Sequence, residues 1–298
     1  MNKKRNIFLI ILAFIVSTFF AIILTNYYIN EKQKELLNSI YETTHKNIFE
    51  KTQNLINDKQ NTSLAIAISL SKDETLYTHL KNKDFEKLNY VKIAKLIETN
   101  SKYKNIWIQI FDSNLNSVYR SWTNIRGSLN FRPDLKKVEA LKNISTSISA
   151  GLFNIGIRAR TPIFDENNNF YGALEVVTHF DSITEDLVKN NISPVVIGDK
   201  SIRKNLTNPL LSKLFIDDYY IANENVDMNL YNYIKENGVE KYINIDKFII
   251  ENGYLISKYP LFDENKKNLA YIINFMELKS INLENIKHIK IQTILATV

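Results

Sequence analysis

No charged residue lies between Arg5 and Glu31, and Ile7 to Leu24 is apolar except for Ser17 and Thr18. A helix of about 20 apolar residues spans a bilayer. Tyr27 and Tyr28 follow, where interfacial aromatic side chains sit. Lys3, Lys4 and Arg5 precede the run, and basic flanks stay on the cytoplasmic side. The pattern predicts a cytoplasmic tail over 1–6, a transmembrane helix over 7–28 and an extracytoplasmic remainder. The run is long for a signal-peptide core, and no small-x-small cleavage site follows it.

Beyond the apolar run the period becomes helical. Leu37, Ile40, Tyr41, Thr44, Ile48 and Leu55 recur mostly three, four or seven apart, with Lys and Glu opposite. No Pro or Gly occurs before Gly127. A spine helix over 29–62 would be roughly 45 Å long at 1.5 Å per residue. That length suits pairing with a second copy, so a homodimer through the spine is expected. Further helices are expected from about Ser63 to Thr78 and from about Phe85 to Thr99.

Alternation then takes over. I-W-I-Q-I-F after Asn105, the turn D-S-N-L-N and S-V-Y-R-S-W predict a β-hairpin. A short helix follows Pro133, from Asp134 to Leu141. A second hairpin is G-I-R-A-R-T-P-I-F, the turn D-E-N-N-N, and F-Y-G-A-L-E-V-V-T. In it Arg158 and Arg160 share one face, since side chains alternate along a strand. P-I-F-D-E-N at Pro162–Asn167 recurs as P-L-F-D-E-N at Pro260–Asn265, 98 residues on, again between two strand-like runs. The setting predicts two similar lobes in tandem, over 63–190 and 191–280. After Lys290 the chain reads I-Q-T-I-L-A-T-V. Residues 281–298 are expected to open a second transmembrane or signalling helix, truncated, or to form an amphipathic terminal helix.

Charge changes the picture only when partitioned. The formal net charge is +6, which alone suggests a polyanionic partner. Three of these charges flank the apolar run, and residues 31–280 carry only 33 basic against 31 acidic residues. Within that part the excess gathers at 120–160, which holds five of the seven Arg. Nucleic acid is not expected as a partner, because that stretch lies on the exported side. The chain has no Cys, which excludes thiol catalysis, disulfides and thiolate metal sites. The four His are scattered, and the lone His179 after the last strand reads as structural. No Walker loop, G-x-S-x-G, H-E-x-x-H or G-x-G-x-x-G occurs. No enzyme, metal or cofactor is expected.

A rigid guanidinium fork grips carboxylate or phosphate in a way that Lys cannot. Arg120 on the first hairpin and Arg158 and Arg160 on the second are expected on neighbouring strands of one sheet. Trp122 would be an apolar wall and Arg132 part of a covering loop. The expected ligand is a small anion, such as a carboxylate. The bland alternative leaves these Arg solvated, or paired with Asp134 and Glu175. Glu175 would bind a ligand amine or neutralise Arg158 or Arg160.

R-S-W at Arg120–Trp122, R-G-S-L-N-F-R-P-D at Arg126–Asp134, G-I-R-A-R-T-P-I-F at Gly156–Phe164 and Y-G-A-L-E-V at Tyr171–Val176 resemble the third variant of the bacterial double Cache sensors. The resemblance covers roughly residues 30–280. It implies an α+β fold: an N-terminal transmembrane helix, a long spine helix and two tandem PAS-like Cache lobes with antiparallel sheets. It implies a periplasmic sensory input domain in the inner membrane, with its ligand in the membrane-distal lobe. The output would be a diguanylate cyclase or histidine kinase, less so a chemoreceptor, outside this chain. The alternative is an anchored extracytoplasmic binding or adaptor protein with no output. Some double Cache domains read amino acids with a Tyr, an Arg-x-Trp and a late Asp. Arg120-x-Trp122 fits, but Leu115 and Val177 stand near the other two places, so an α-amino acid is not implied.

Overall fold

The computed structural model describes residues 2–129 and 132–282, with side chains from Arg5 onward. The residues expected to open a terminal helix lie almost wholly outside this range. The chain divides into two compact units, residues 1–47 with those from Leu278 on, and Ile48–Glu277. Helix α1 (Asn2–Ser71) begins in the first and ends in the second. Its apolar stretch is exposed throughout, and by length and composition it is one helix able to cross a membrane. The helix expected to begin at Ser63 is instead the continuation of α1. With no Pro or Gly to stop it, the chain turns only after Ser71.

The unit Ile48–Glu277 holds two antiparallel six-stranded sheets. Before the first come α2 (Leu76–Asn82) and α3 (Tyr90–Asn100). Its strands are β1 (Trp107–Asp112), β2 (Asn116–Arg120), β3 (Gly127–Ser128), β4 (Ser145–Ala150), β5 (Ile155–Phe164) and β6 (Phe170–Thr178). Helix α4 (Pro133–Leu141) sits between β3 and β4, and the order across the sheet is β3-β2-β1-β6-β5-β4. Helix α5 (Asp181–Val188) leads to β7 (Ser193–Gly198), β8 (Phe215–Ile216) and β9 (Tyr219–Ile221). Helices α6 (Met228–Asn237) and α7 (Val239–Ile243) follow, then β10 (Phe248–Glu251), β11 (Tyr254–Phe262) and β12 (Asn268–Glu277). The second order is β10-β11-β12-β7-β9-β8.

One face of the first sheet is a plain apolar core. Ile108, Ile110, Ala159, Leu174 and Val176 pack against Ala67 of α1, Leu76 and Leu80 of α2, and Tyr90 and Ala94 of α3. Burying each large side chain of this kind contributes about 1.5–3 kcal/mol. The opposite face is also buried, so β5 is covered on both sides. Where β1 meets β6 the backbones come very close. A Cβ on Gly172 would collide with the Phe111 carbonyl, so only Gly fits there.

Three hairpins use one turn. Asp112 Oδ1 accepts hydrogen bonds from the Asn114 and Asn116 amides at 3.0 and 2.8 Å. Asp165 receives those of Asn167 and Asn169 at 2.9 and 2.8 Å, and Asp263 those of Asn265 and Lys267 at 2.8 and 2.9 Å. The fourth residue of each turn is left-handed: Leu115, Asn168 and Lys266, with φ of 60° to 61°. The Asp side chain stands in for a backbone turn and holds the strand pair in register. The repeated P-x-F-D-E-N is thus a shared turn chemistry as well as a shared position.

Candidate functional site

The second face of the first sheet is polar and buried. Strand register places Arg120 opposite Gln109, Gln109 opposite Glu175 and Glu175 opposite Arg160. Arg120 and Arg160 are therefore not on neighbouring strands, as the hairpin pattern suggested. β1 and β6 lie between them and fill the gap with Gln109 and Glu175. Arg158 points from the same face one rung away, opposite Val177. Arg132 and Asp134 arrive from the start of α4. All seven polar residues are at most 3% exposed.

Glu175 is the hub. Its carboxylate accepts from Arg132 Nη1 and Nη2 at 3.1 and 2.6 Å, from Arg158 Nη1 at 3.1 Å and from Arg160 Nε at 2.8 Å. Gln109 Nε2 also donates to it. Asp134 is a second hub, accepting from Arg132 Nε and Nη2 at 3.1 and 2.6 Å, from Ser149 at 2.9 Å and from Arg160. Arg160 also donates to Ser147 at 2.8 Å, and Arg158 to Asn154 Oδ1 at 3.0 Å. Arg120 Nε donates to Gln109 Oε1 at 3.1 Å and Nη1 to the Ile125 carbonyl. Glu175, expected to bind a ligand amine or to neutralise Arg158 or Arg160, takes both of these and Arg132.

Four guanidinium groups therefore face two carboxylates. Burial works against both carboxylates, but Arg132 leads the groups that hold Glu175 down to about 2 and Asp134 well below the usual carboxylate range. Burial would also lower Arg132, and Asp134 and Glu175 outweigh it. The surplus positive charge tells on Arg158 and Arg120. Arg158 is brought down to about 10 by burial and by Arg132 beside it. Arg120 is brought down to about 10 by burial and by Arg126. A buried charge without full compensation is costly.

Unmet donors gather at the same place. Trp107 and Trp122 stack at 4.6 Å, with their rings 9° from parallel, and Phe153 stands edge-on to both. The Arg120 guanidinium lies 5.2 Å from the Phe153 ring and 5.9 Å from that of Trp122. Arg120 Nη2, Trp122 Nε1 and Asn154 Nδ2 are buried with no hydrogen-bond partner. His179, edge-on to Trp107, donates from Nδ1 to the Asn105 carbonyl and stays neutral, since burial pushes it down to about 3. A cleft of about 630 Å³ opens along Arg120 and Trp122, with Lys83, Lys87 and Arg126 on its rim. A cavity of about 280 Å³ adjoins Arg132, Asp134 and Ser149. Arg158, Arg160 and Glu175 line neither.

The structure thus brings together Arg120, Trp122, Arg132, Arg158, Arg160 and Glu175. It adds Gln109, Asn154, Trp107, Ser147 and Ser149, which sequence reasoning passed over. Gln109 could have been found as the one polar residue inside an apolar strand. Trp107, Asn154 and the two Ser carry no local signal. Among the described residues, no group of three or more His, Asp or Glu could hold a metal ion.

No family model matches the chain, and no curated protein matches it. Solved structures do. The sensor domain of the V. cholerae histidine kinase DctB is 14% identical, with a TM-score of 0.45, over 83% of this chain and 98% of that one. A domain of a sensory box/GGDEF family protein from Vibrio parahaemolyticus is 14% identical, with a TM-score of 0.47, over 82% and 98%. The ligand-binding domain of the Campylobacter jejuni chemoreceptor Tlp3, solved with L-valine, is 16% identical, with a TM-score of 0.41, over 82% and 97%. The chain is similar, over most of its length, to a histidine kinase sensor domain, a domain of a sensory box/GGDEF family protein and a chemoreceptor ligand-binding domain.

Proposed function

We propose that this chain is the extracytoplasmic input part of a transmembrane receptor and binds a small organic anion in its first lobe. The surplus of two buried guanidinium groups carries the reading, with the unmet donors of Arg120, Trp122 and Asn154 beside it. An anion among them would supply the absent charge and the absent acceptors together. Its apolar part would meet the Trp107, Trp122 and Phe153 rings. Entry would be from the cleft along Arg120 and Trp122. The apolar stretch of α1, with its basic flank, would be the anchor. The output would be a histidine kinase or diguanylate cyclase, and signalling would require the anion to prefer one of two conformations.

The test is a thermal-shift and calorimetric screen of mono- and dicarboxylates on the full chain in nanodiscs. A binder should raise Tm, and Arg120→Met or Arg158→Met should weaken it at least tenfold, because a charge-assisted hydrogen bond contributes about 1.5–3 kcal/mol. Removing a surplus charge should leave the Tm of the empty protein unchanged or slightly higher. Equal affinity in both variants and wild type would sink the anion site.

A further inference from the structure

Where α1 crosses the joint between the lobes it makes one polar patch. Lys59 Nζ donates to Ser182 Oγ at 2.8 Å and lies 3.7 Å from the centroid of the Tyr103 ring. The Tyr103 hydroxyl donates to Thr62 at 3.0 Å, and the Ser63 and Thr178 hydroxyls are 2.8 Å apart. Lys59 is 2% exposed, and among the described residues no carboxylate oxygen comes within 4.0 Å of its Nζ. An ammonium offers three donors and a full charge. Here one hydroxyl and one ring face receive them.

The surrounding charges are committed elsewhere. After α3, Lys102 donates to Asp186 at 2.7 Å and adds a second positive charge nearby. On α5, Asp181 and Glu185 act on Lys59 only from a distance, as does Asp186. Asp181 Oδ1 accepts from the Glu224 amide of the second lobe at 2.8 Å. At the end of β6, His179 is buried and neutral, so it offers no countercharge. Burial, followed by Lys102, brings Lys59 down to about 7.

We propose that Lys59 is a proton-operated latch holding α1 to α5: it packs as the free amine and lets go as the ammonium. The contact matters because α5 is bonded to the second lobe. Thr184 donates to Asn225 Oδ1 at 2.7 Å, and Asn225 Nδ2 to the Asp181 carbonyl at 3.3 Å. The latch does not depend on the anion site. Once released, the amine regains an ordinary lysine value of 10.5. Between about 7 and that value the proton favours release, by about tenfold per pH unit. Below about 7 both forms are protonated and the dependence levels off.

Two measurements on the full chain in nanodiscs test this. Competitive acylation read by mass spectrometry gives the titration midpoint of Lys59, expected near 7. Hydrogen exchange of the Ile183–Leu187 amides, expressed as protection factors, is expected to rise roughly 15-fold from pH 7 to pH 8.5, half of what the full tenfold per unit gives, because Lys59 is half-titrated at the lower end. Lys59→Met should remove that rise. A Lys59 midpoint at the ordinary lysine value overturns the proposal, as does an equal rise in the variant. Should Lys59→Met fail to fold, the acylation profile of the wild type decides alone.

Discussion

In the first lobe the rung across β1, β6 and β5 reads Gln109, Glu175, Arg160. In the second lobe the matching rung across β7, β12 and β11 reads Val195, Ile273, Lys258. One rung on, Trp107, Val177 and Arg158 are matched by Ser193, Phe275 and Ile256. On β5 and β6 the correspondence keeps the 98-residue offset of the repeated turns. The ladders agree and the chemistry on them does not. Over the second sheet Leu230, Ile234 and Tyr242 of α6 and α7 close an apolar core, and Lys258 reaches out to the Ile243 carbonyl at 2.8 Å. Over the first, α4 brings Arg132 and Asp134. Turns and backbone pairing therefore hold the scaffold, and one face of each sheet is free to differ. A buried ion network seldom outdoes an apolar core in stability. On the proposed reading, the charged face of the first lobe would serve the anion.

The largest expected effect separates the lobes directly. Glu175→Ala takes a carboxylate partner from three buried guanidinium groups, leaves Arg158 with none, and should cost about 3–5 kcal/mol in urea denaturation. Adding Arg158→Met should restore part of that loss, because it removes the stranded charge. Ile273→Ala in the second lobe should cost about 2–5 kcal/mol, and no charge removal should rescue it. Strict additivity of Glu175→Ala and Arg158→Met would break the contrast.

Acid should come next. The folded first lobe holds Glu175 at about 2, below its ordinary 4.5. The stability this contributes is present above the ordinary value and is lost as pH falls toward 2. Asp134 adds to the effect in the same direction. Hydrogen exchange should therefore show the strands of the first sheet losing protection at a higher pH than those of the second. Simultaneous loss would mean that the charge network does not set the first lobe's acid limit.

The smallest expected effect is a likeness. Asp165→Ala and Asp263→Ala each remove a side chain that accepts two turn amides. Each should cost about 1 kcal/mol, and the two values should agree within a few tenths. A large gap would show that the repeated turn has different work in the two lobes.

Local periodicity reached the hairpins, the short helix after Pro133 and the shared face of Arg158 and Arg160. It did not reach the strand order. That β1 and β6 lie between β2 and β5 is a long-range pairing, so the Gln109–Glu175 bridge was hidden although both residues sit in legible strands. Alternation also shows that a face is polar without showing that it is covered. The burial of Arg120, Arg132, Arg158 and Arg160 comes from α4 and the loops. Thr62 and Ser63 read as a break in the helical pattern because their partners, Tyr103 and Thr178, are distant in sequence.

Both tryptophans of the chain, Trp107 and Trp122, lie stacked in the first lobe beside Arg120, and the second lobe has none. The ultraviolet emission of the whole protein is thus a one-channel readout of the charged lobe. It needs no label, and the sixteen tyrosines can be left dark by exciting at the red edge of the band.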